Sequence, residues 1–189
     1  ARFSGPPPIS IARGQLSLTM LLDPRGTDVD ATFEGTGLRR GTLSIARIAG
    51  NARLVDGVGT VRGSMAGARG RDFSARFLVD VARDRYTVRG DGTLARQPIR
   101  LTRAAQLRRD GSGWRLDRAE LTYAGGRAQL SGLFGGSALE VESDLENIPL
   151  SLLELGWPDL GLGGRASGHL VYRDSGSTPS GDAQLRLRG

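Results

Sequence analysis

Few residues of this chain have the types that enzymes use for proton transfer or metal binding. Its one histidine, His169, stands in the strand-like sequence SGHLVYR. A single imidazole cannot build a histidine-rich metal site, and it leaves little room for a catalytic triad. Because His169 alternates with Val171 along this segment, we predict that it is an ordinary residue of a β-sheet.

Three carboxylates, Glu140, Glu142 and Asp144, recur at every second position. They could bind calcium, but calcium sites gather such ligands on a tight loop, so we favour a solvated strand face. The chain has no cysteine for thiolate chemistry, and without lysine its glycine-rich stretches cannot form a phosphate-binding loop. The sequence therefore predicts no enzyme, no catalytic residue, no metal site and no cofactor.

The composition is typical of many short strands joined by tight turns. The 189 residues include 29 glycines, only 38% are hydrophobic and 5% are aromatic. The net charge is +6, and all 26 basic residues are arginines. Arginine without lysine is typical of a GC-rich genome. The alternative interpretation is a surface that attracts anionic lipid headgroups, lipopolysaccharide or nucleic acid. Because acidic residues are interspersed, we do not predict a nucleic acid partner.

Alternation of apolar and polar residues is the dominant pattern, and it predicts strands that bury one face. Glycine-containing turns are predicted at 35–37, 57–59, 90–92, 111–113, 125–126 and 135–136. We count roughly thirteen strands, and an open sheet of more than about ten must curl or split. The predicted fold is all-β, a single repetitive segment over residues 1–189. It is an elongated, curled antiparallel or mixed sheet forming a U-shaped apolar trough, and the alternative is a closed β-sandwich.

One segment departs from this pattern, and a second bears on the extent of the protein. Leu150, Leu153 and Trp157 recur at helical spacing between Pro149 and Gly156, which predicts a short helix over about Leu150 to Leu155 that plugs or caps the sheet. The sequence stops at Gly189, directly after the strand-like residues 182–188, from which we expect the chain to be a piece of a longer protein. Glycines inside predicted strands indicate bulges or bends.

The C-terminal half has a recognisable order of parts. An arginine-rich strand precedes the Gly113–Trp114 hairpin, and a strand ending QLSG follows. Next come the IPLSLL helix at 148–153, the stretch PDLGLGGRASG, and a closing strand pair with Pro179 between its strands. In this order of parts, about residues 97–189 resemble the TamB family, the inner-membrane component of the translocation and assembly module, and its AsmA-like relatives. The earlier residues share only the strand style.

This resemblance implies a long β-trough with an apolar interior in the periplasm, anchored in the inner membrane in the full-length protein. It implies an Omp85-type outer-membrane barrel (TamA-like) as a partner. It also implies roles in moving phospholipid between the two membranes and in assembling nascent outer-membrane proteins.

Three functions are compatible with these patterns. The first is a lipid conduit, lined by Leu16, Leu18, Met20, Phe33, Phe73, Phe77, Val79, Leu130, Phe134, Leu139 and Val141. The second is a chaperone-like scaffold whose edge strand, residues 182–188, pairs with incoming barrel strands. The third is a structural spacer that binds neither. The arginines of the outer face are predicted to be solvated or, alternatively, to contact anionic headgroups: Arg39, Arg40, Arg108 and Arg109.

Overall fold

The computed structural model describes residue 10 and residues 12–23, 26–135, 139–155, 163–174 and 179–189. Apart from one 3-10 helix, the regular elements of these residues are strands, which confirms the all-β prediction. They are β1 (Arg13–Asp23), β2 (Gly26–Arg40), β3 (Leu43–Val55), β4 (Val58–Arg69), β5 (Arg71–Ala82), β6 (Arg85–Leu94), β7 (Gln97–Arg103), β8 (Ala105–Asp110), β9 (Gly113–Tyr123), β10 (Gly126–Phe134), β11 (Leu139–Pro149), β12 (Arg165–Asp174) and β13 (Ser180–Arg188).

The strands form one antiparallel sheet in which, except at β7 and β8, each strand pairs with its neighbours along the chain. Strands β7 and β8 both lie between β6 and β9, so they act as one long strand interrupted at Ala104. Strands β1 and β13 are the two edges and do not pair with each other. The sheet is therefore an open, curled meander. A closed sandwich would need a second sheet, and the described strands form only one.

Several turns lie where the glycines predicted them. Asp56 and Gly57 both have positive φ between β3 and β4. Gly111 and Gly125 also adopt positive φ, in the predicted turns at 111–113 and 125–126. Such φ values favour glycine because an L side chain crowds the backbone there. Two predictions extend beyond the described residues. They are the turn at 135–136, whose second residue follows Gly135, and the helical spacing up to Trp157, which lies between Leu155 and Gly163.

Two predicted turns are wrong. Residues 35–37 lie within β2, and residues 90–92 lie within β6, whose turn is made instead by Ala95 and Arg96. Gly92 is needed for close approach, since a Cβ there would collide with the Ser74 backbone carbonyl. The strands are consequently longer than predicted, up to the 15 residues of β2.

The predicted helix is present as a 3-10 helix over Leu150–Leu155. Its backbone is tied to the start of β12 because Leu150 N donates to Gly164 O at 3.0 Å. Leu152 packs against a buried cluster on the sheet, formed by Leu94, Tyr123, Ala128 and Ile148. The helix thus caps one end of the apolar face, as expected.

The buried interior is small for a sheet of this size. The buried apolar residues of the described part are mostly alanines, namely Leu94, Ala105, Ala119, Tyr123, Ala128, Ile148 and Ala166. No large side chain among the described residues is fully buried. Most of the apolar face therefore keeps some exposure to solvent.

Candidate functional site

Strand register places the apolar side chains on one face of the sheet. Directly opposite residues of antiparallel strands lie on the same face. One row of such residues crosses the whole sheet from β1 to β13: Met20, Val29, Leu54, Gly59, Val81, Tyr86, Leu107, Leu116, Gly132, Val141, Tyr172 and Gly181. Met20 and Val141 of this row were predicted to line a groove, and alternation along each strand places the other nine predicted lining residues on the same face.

These predicted residues differ in how far they are covered. Leu16, Leu18 and Met20, on the edge strand β1, are 69%, 52% and 50% exposed. The others are half-buried: Phe33, Phe73, Phe77, Val79, Leu130, Phe134, Leu139 and Val141. At the opposite edge, Leu185 and Leu187 of β13 are also exposed. The apolar face therefore continues to both edges of the sheet.

Phenylalanine side chains pack over glycines on this face. Gly50 and Gly63 are opposite each other on β3 and β4, and they are flanked by Phe33 on β2 and Phe77 on β5. A Cβ atom at Gly50 would lie 2.5 Å from Phe33 Cζ, and one at Gly63 would lie 2.7 Å from Phe77 Cζ. The missing side chains leave room for both rings against the backbone, so the rings form an apolar floor.

Two connected apolar cavities lie on the same face. One of about 350 Å³ is lined by side chains that include Met65, Phe77 and Leu121, and a second of about 300 Å³ includes Phe73 and Leu94. Both cavities are also lined by Ala75 and Ile99, so they adjoin one another. Together they extend from the phenylalanine floor to the buried cluster under the 3-10 helix.

Aromatic side chains gather at the opposite end of the strands. The rings of Tyr86 and Trp114 have centroids 4.8 Å apart with their planes at 38°. The Arg109 guanidinium lies 5.5 Å from the Trp114 centroid, within the range of a cation–π contact. Arg109, predicted to belong to the solvated outer face, thus contacts an aromatic ring at the end of the apolar face. No sequence pattern predicts this contact, because it depends on the register of β8 against β9.

The other face of the sheet is polar and carries cross-strand ion pairs. Arg76 Nη2 donates to Asp91 Oδ2 at 2.6 Å, and Arg108 Nη2 donates to Asp117 Oδ1 at 2.7 Å. In each case the hydrogen bond to the carboxylate, and then its charge, raise the pKa of the arginine above its ordinary value. Arg39 and Arg40 are exposed, as predicted. Exposed pairs of this kind contribute little to stability but keep this face hydrated.

The residues first considered for chemistry lie on this polar face. His169 Nδ1 is 2.8 Å from Asp144 Oδ1, and the Glu140 carboxylate accepts a hydrogen bond from Arg173 Nε at 2.8 Å. The side chains of Glu142 and His169 are 3.8 Å apart. The described residues contain no group of three or more His, Cys, Asp or Glu side chains that could hold a metal ion.

Comparisons with known proteins add no assignment to this geometry. No protein-family model matches the chain, and no curated protein or solved structure matches it either. Within the described ranges, no helix is both long and apolar enough to cross a bilayer. The candidate site is thus defined by the apolar face alone.

Proposed function

We propose that this chain is a periplasmic segment of a TamB-like protein that shields the acyl chains of phospholipid on their way between the inner and outer membranes. The proposal rests on one observation: a curled, open sheet keeps a continuous apolar face that no second layer of described residues covers. The location and the two membranes follow from the resemblance of residues 97–189 to that family.

The free energy of exposing an acyl chain to water favours such a shield. An acyl chain of about 16 carbons that leaves a bilayer exposes apolar surface at about 0.8 kcal/mol per CH₂, or roughly 12 kcal/mol in all. The adjoining cavities over Phe77 and Phe73 offer a surface that excludes water from part of that chain. Because apolar contact is not directional, a chain bound there can slide along the face.

Photo-crosslinking within one strand tests this proposal. A photoreactive amino acid at Phe77 or Val79 of β5 faces the apolar side, whereas at Leu78 it faces the polar side. We expect radiolabelled phospholipid to be crosslinked from Phe77 and Val79 several times more strongly than from Leu78. Equal labelling from the two faces would contradict the proposal, since Leu78 matches its neighbours in hydrophobicity and position.

A second candidate function is supported by the free edges of the sheet. Among the described strands, β13 pairs with β12 alone, and all of its residues are exposed. An unpaired strand edge is a template for another strand, so β13 could hold a segment of a nascent outer-membrane protein. A pull-down with an unfolded barrel peptide, with and without residues 181–189, tests this function. Capture that does not depend on these residues would argue against it.

A partnership with an Omp85-type barrel belongs to the same proposal and comes from the family resemblance. Copurification of the full-length protein with such a barrel from the outer membrane is the corresponding measurement. Its absence would leave the segment as a lipid shield without that partner.

A further inference from the structure

The polar face of the sheet also contains a groove, which the lipid proposal does not use. A cavity of about 600 Å³ lies over β1–β5, and a second of about 380 Å³ adjoins it toward β6. Arg47, Ser64 and Arg76 line both cavities. A strongly twisted sheet is saddle-shaped, so each of its faces can be concave in a different direction.

Register shows how the groove is built. A single row of opposite residues runs along it: Gln15, Glu34, Ala49, Ser64, Arg76 and Asp91. In the middle of this row Ala49 and Ser64 are small, while the adjacent rows carry Arg47, Asn51 and Arg62. Small side chains therefore form the floor and long ones form the sides. Across six strands at about 4.8 Å each, the groove is on the order of 24 Å long.

The ion pairs along the groove leave one of its arginines available to bind an anion. Arg47 pairs with Glu34 at 2.9 Å, and Arg76 pairs with Asp91. Arg62 lies between them, opposite Asn51, and none of the ion pairs among the described residues involves its guanidinium. An arginine without a carboxylate partner, surrounded by hydroxyl and amide groups, can bind a carboxylate, sulfate or phosphate through two parallel hydrogen bonds.

The remaining lining groups narrow the class of ligand. Thr32, Ser64, Gln15 and Asn51 offer both donors and acceptors, which suits a ligand rich in hydroxyl groups. Phe33 and Phe77 belong to the lining of the larger cavity, but their ring tips lie over Gly50 and Gly63 on the opposite, apolar face. The groove therefore lacks the stacking surface on which single-stranded nucleic acid depends. The backbone of β2–β5 is already paired on both sides within the sheet, so a peptide could add a strand only at the edge strand β1 and not along the floor of the groove.

We propose that this groove, defined by Arg47, Arg62, Arg76 and the small residues between them, binds an acidic polysaccharide. Its acidic group lies against Arg62, and its sugar hydroxyls exchange hydrogen bonds with the neighbouring amide and hydroxyl side chains. The site is on the face opposite the apolar one, so its function is independent of lipid binding.

Binding of defined polymers to the purified chain at about physiological salt tests the proposal. The probes are polygalacturonate, which carries carboxylates, heparin, which carries sulfates, neutral dextran, and poly-glutamate as an acidic peptide. We expect at least one acidic polysaccharide to bind, with dextran at least tenfold weaker. Comparison of polygalacturonate with heparin identifies the preferred acidic group.

Matched variants locate the binding site. Arg62→Gln should weaken binding of the acidic polysaccharide at least tenfold, and Ser64→Leu, which fills the floor, should do the same. Arg127→Gln removes one exposed arginine from the same face on β10, away from the groove, and should change binding less than twofold. Circular dichroism confirms that each variant is folded.

Three results would overturn the proposal. The first is failure of both acidic polysaccharides to bind. The second is an equal effect of Arg62→Gln and Arg127→Gln, which would indicate attraction to net charge alone. The third is tighter binding of poly-glutamate with the same dependence on Arg62, which would assign the groove to an acidic peptide.

Discussion

Substituting Gly63 by alanine perturbs the floor of the apolar face at one defined contact. The added methyl group would lie 2.7 Å from Phe77 Cζ and 2.9 Å from the Ala49 carbonyl oxygen. Real Cβ atoms avoid both distances, so the Phe77 ring must tilt away from the sheet and into the space over the apolar face. The variant should therefore lose stability and narrow the surface offered to acyl chains.

The expected magnitude follows from two opposing effects. In an open strand position, alanine is better than glycine by about 0.5–1 kcal/mol because glycine loses more backbone freedom on folding. Crowding an extra methyl group into an occupied space costs about 1–3 kcal/mol. We expect Gly63→Ala to lower the free energy of unfolding by on the order of 1 kcal/mol. Gly181→Ala on the edge strand, where the nearest atom is the Val171 carbonyl oxygen at 3.1 Å, should be close to neutral.

A double-mutant cycle separates the ring contact from the backbone contact. Phe77→Leu removes Cζ, so Gly63→Ala should cost less in that background by about 0.5–1.5 kcal/mol. Urea unfolding followed by circular dichroism measures all four free energies, and equal m-values are required for the comparison. If Gly63→Ala were as stable as the wild type, or if the two substitutions were additive, the ring would not lie where we place it.

Further substitutions test other parts of the sheet. Ala95 and Arg96 both have positive φ in the β6–β7 turn, so replacing them by Asn and Gly should raise the free energy of unfolding by about 1 kcal/mol, measured in urea. Arg165 donates hydrogen bonds to the Ala124 and Asn147 carbonyl oxygens; Arg165→Lys should cost about 2 kcal/mol, and an unchanged melting temperature would contradict this. Tyr123→Ala empties the buried cluster and should cost about 3–5 kcal/mol, detected as a lower urea midpoint.

The sequence was sufficient for the fold class because period-two alternation depends only on each strand. It indicated the sides on which Phe77 and Val79 lie, the number of strands and the helix at Leu150–Leu155. It was less reliable for strand ends, because glycine is favoured both in turns and where backbones or rings approach closely. Gly92 served the second purpose, and the true turn at Ala95 and Arg96 has no turn-forming residue.

For the residues of the apolar face, the sequence predicted only that they share one side of the sheet. Contacts between strands, such as Phe77 over Gly63 or Arg109 over Trp114, depend on which residues become opposite, and no single strand contains that information. The polar groove around Arg62 could not be predicted for a related reason. It results from the twist of the whole sheet, which small and large side chains reveal only after they are aligned in rows.

The uninterrupted order of the strands makes the length of this sheet adjustable. With β7 and β8 counted as one interrupted strand, the described strands pair with their neighbours along the chain, so one hairpin such as β4–β5 could be deleted or duplicated without reversing any strand. The strand that follows would still run in the right direction and present the same side. Each hairpin changes the span by about 10 Å, twice the strand spacing. A gene could thus match its product to a wider or narrower gap between two structures by copying or losing one repeating unit at a time.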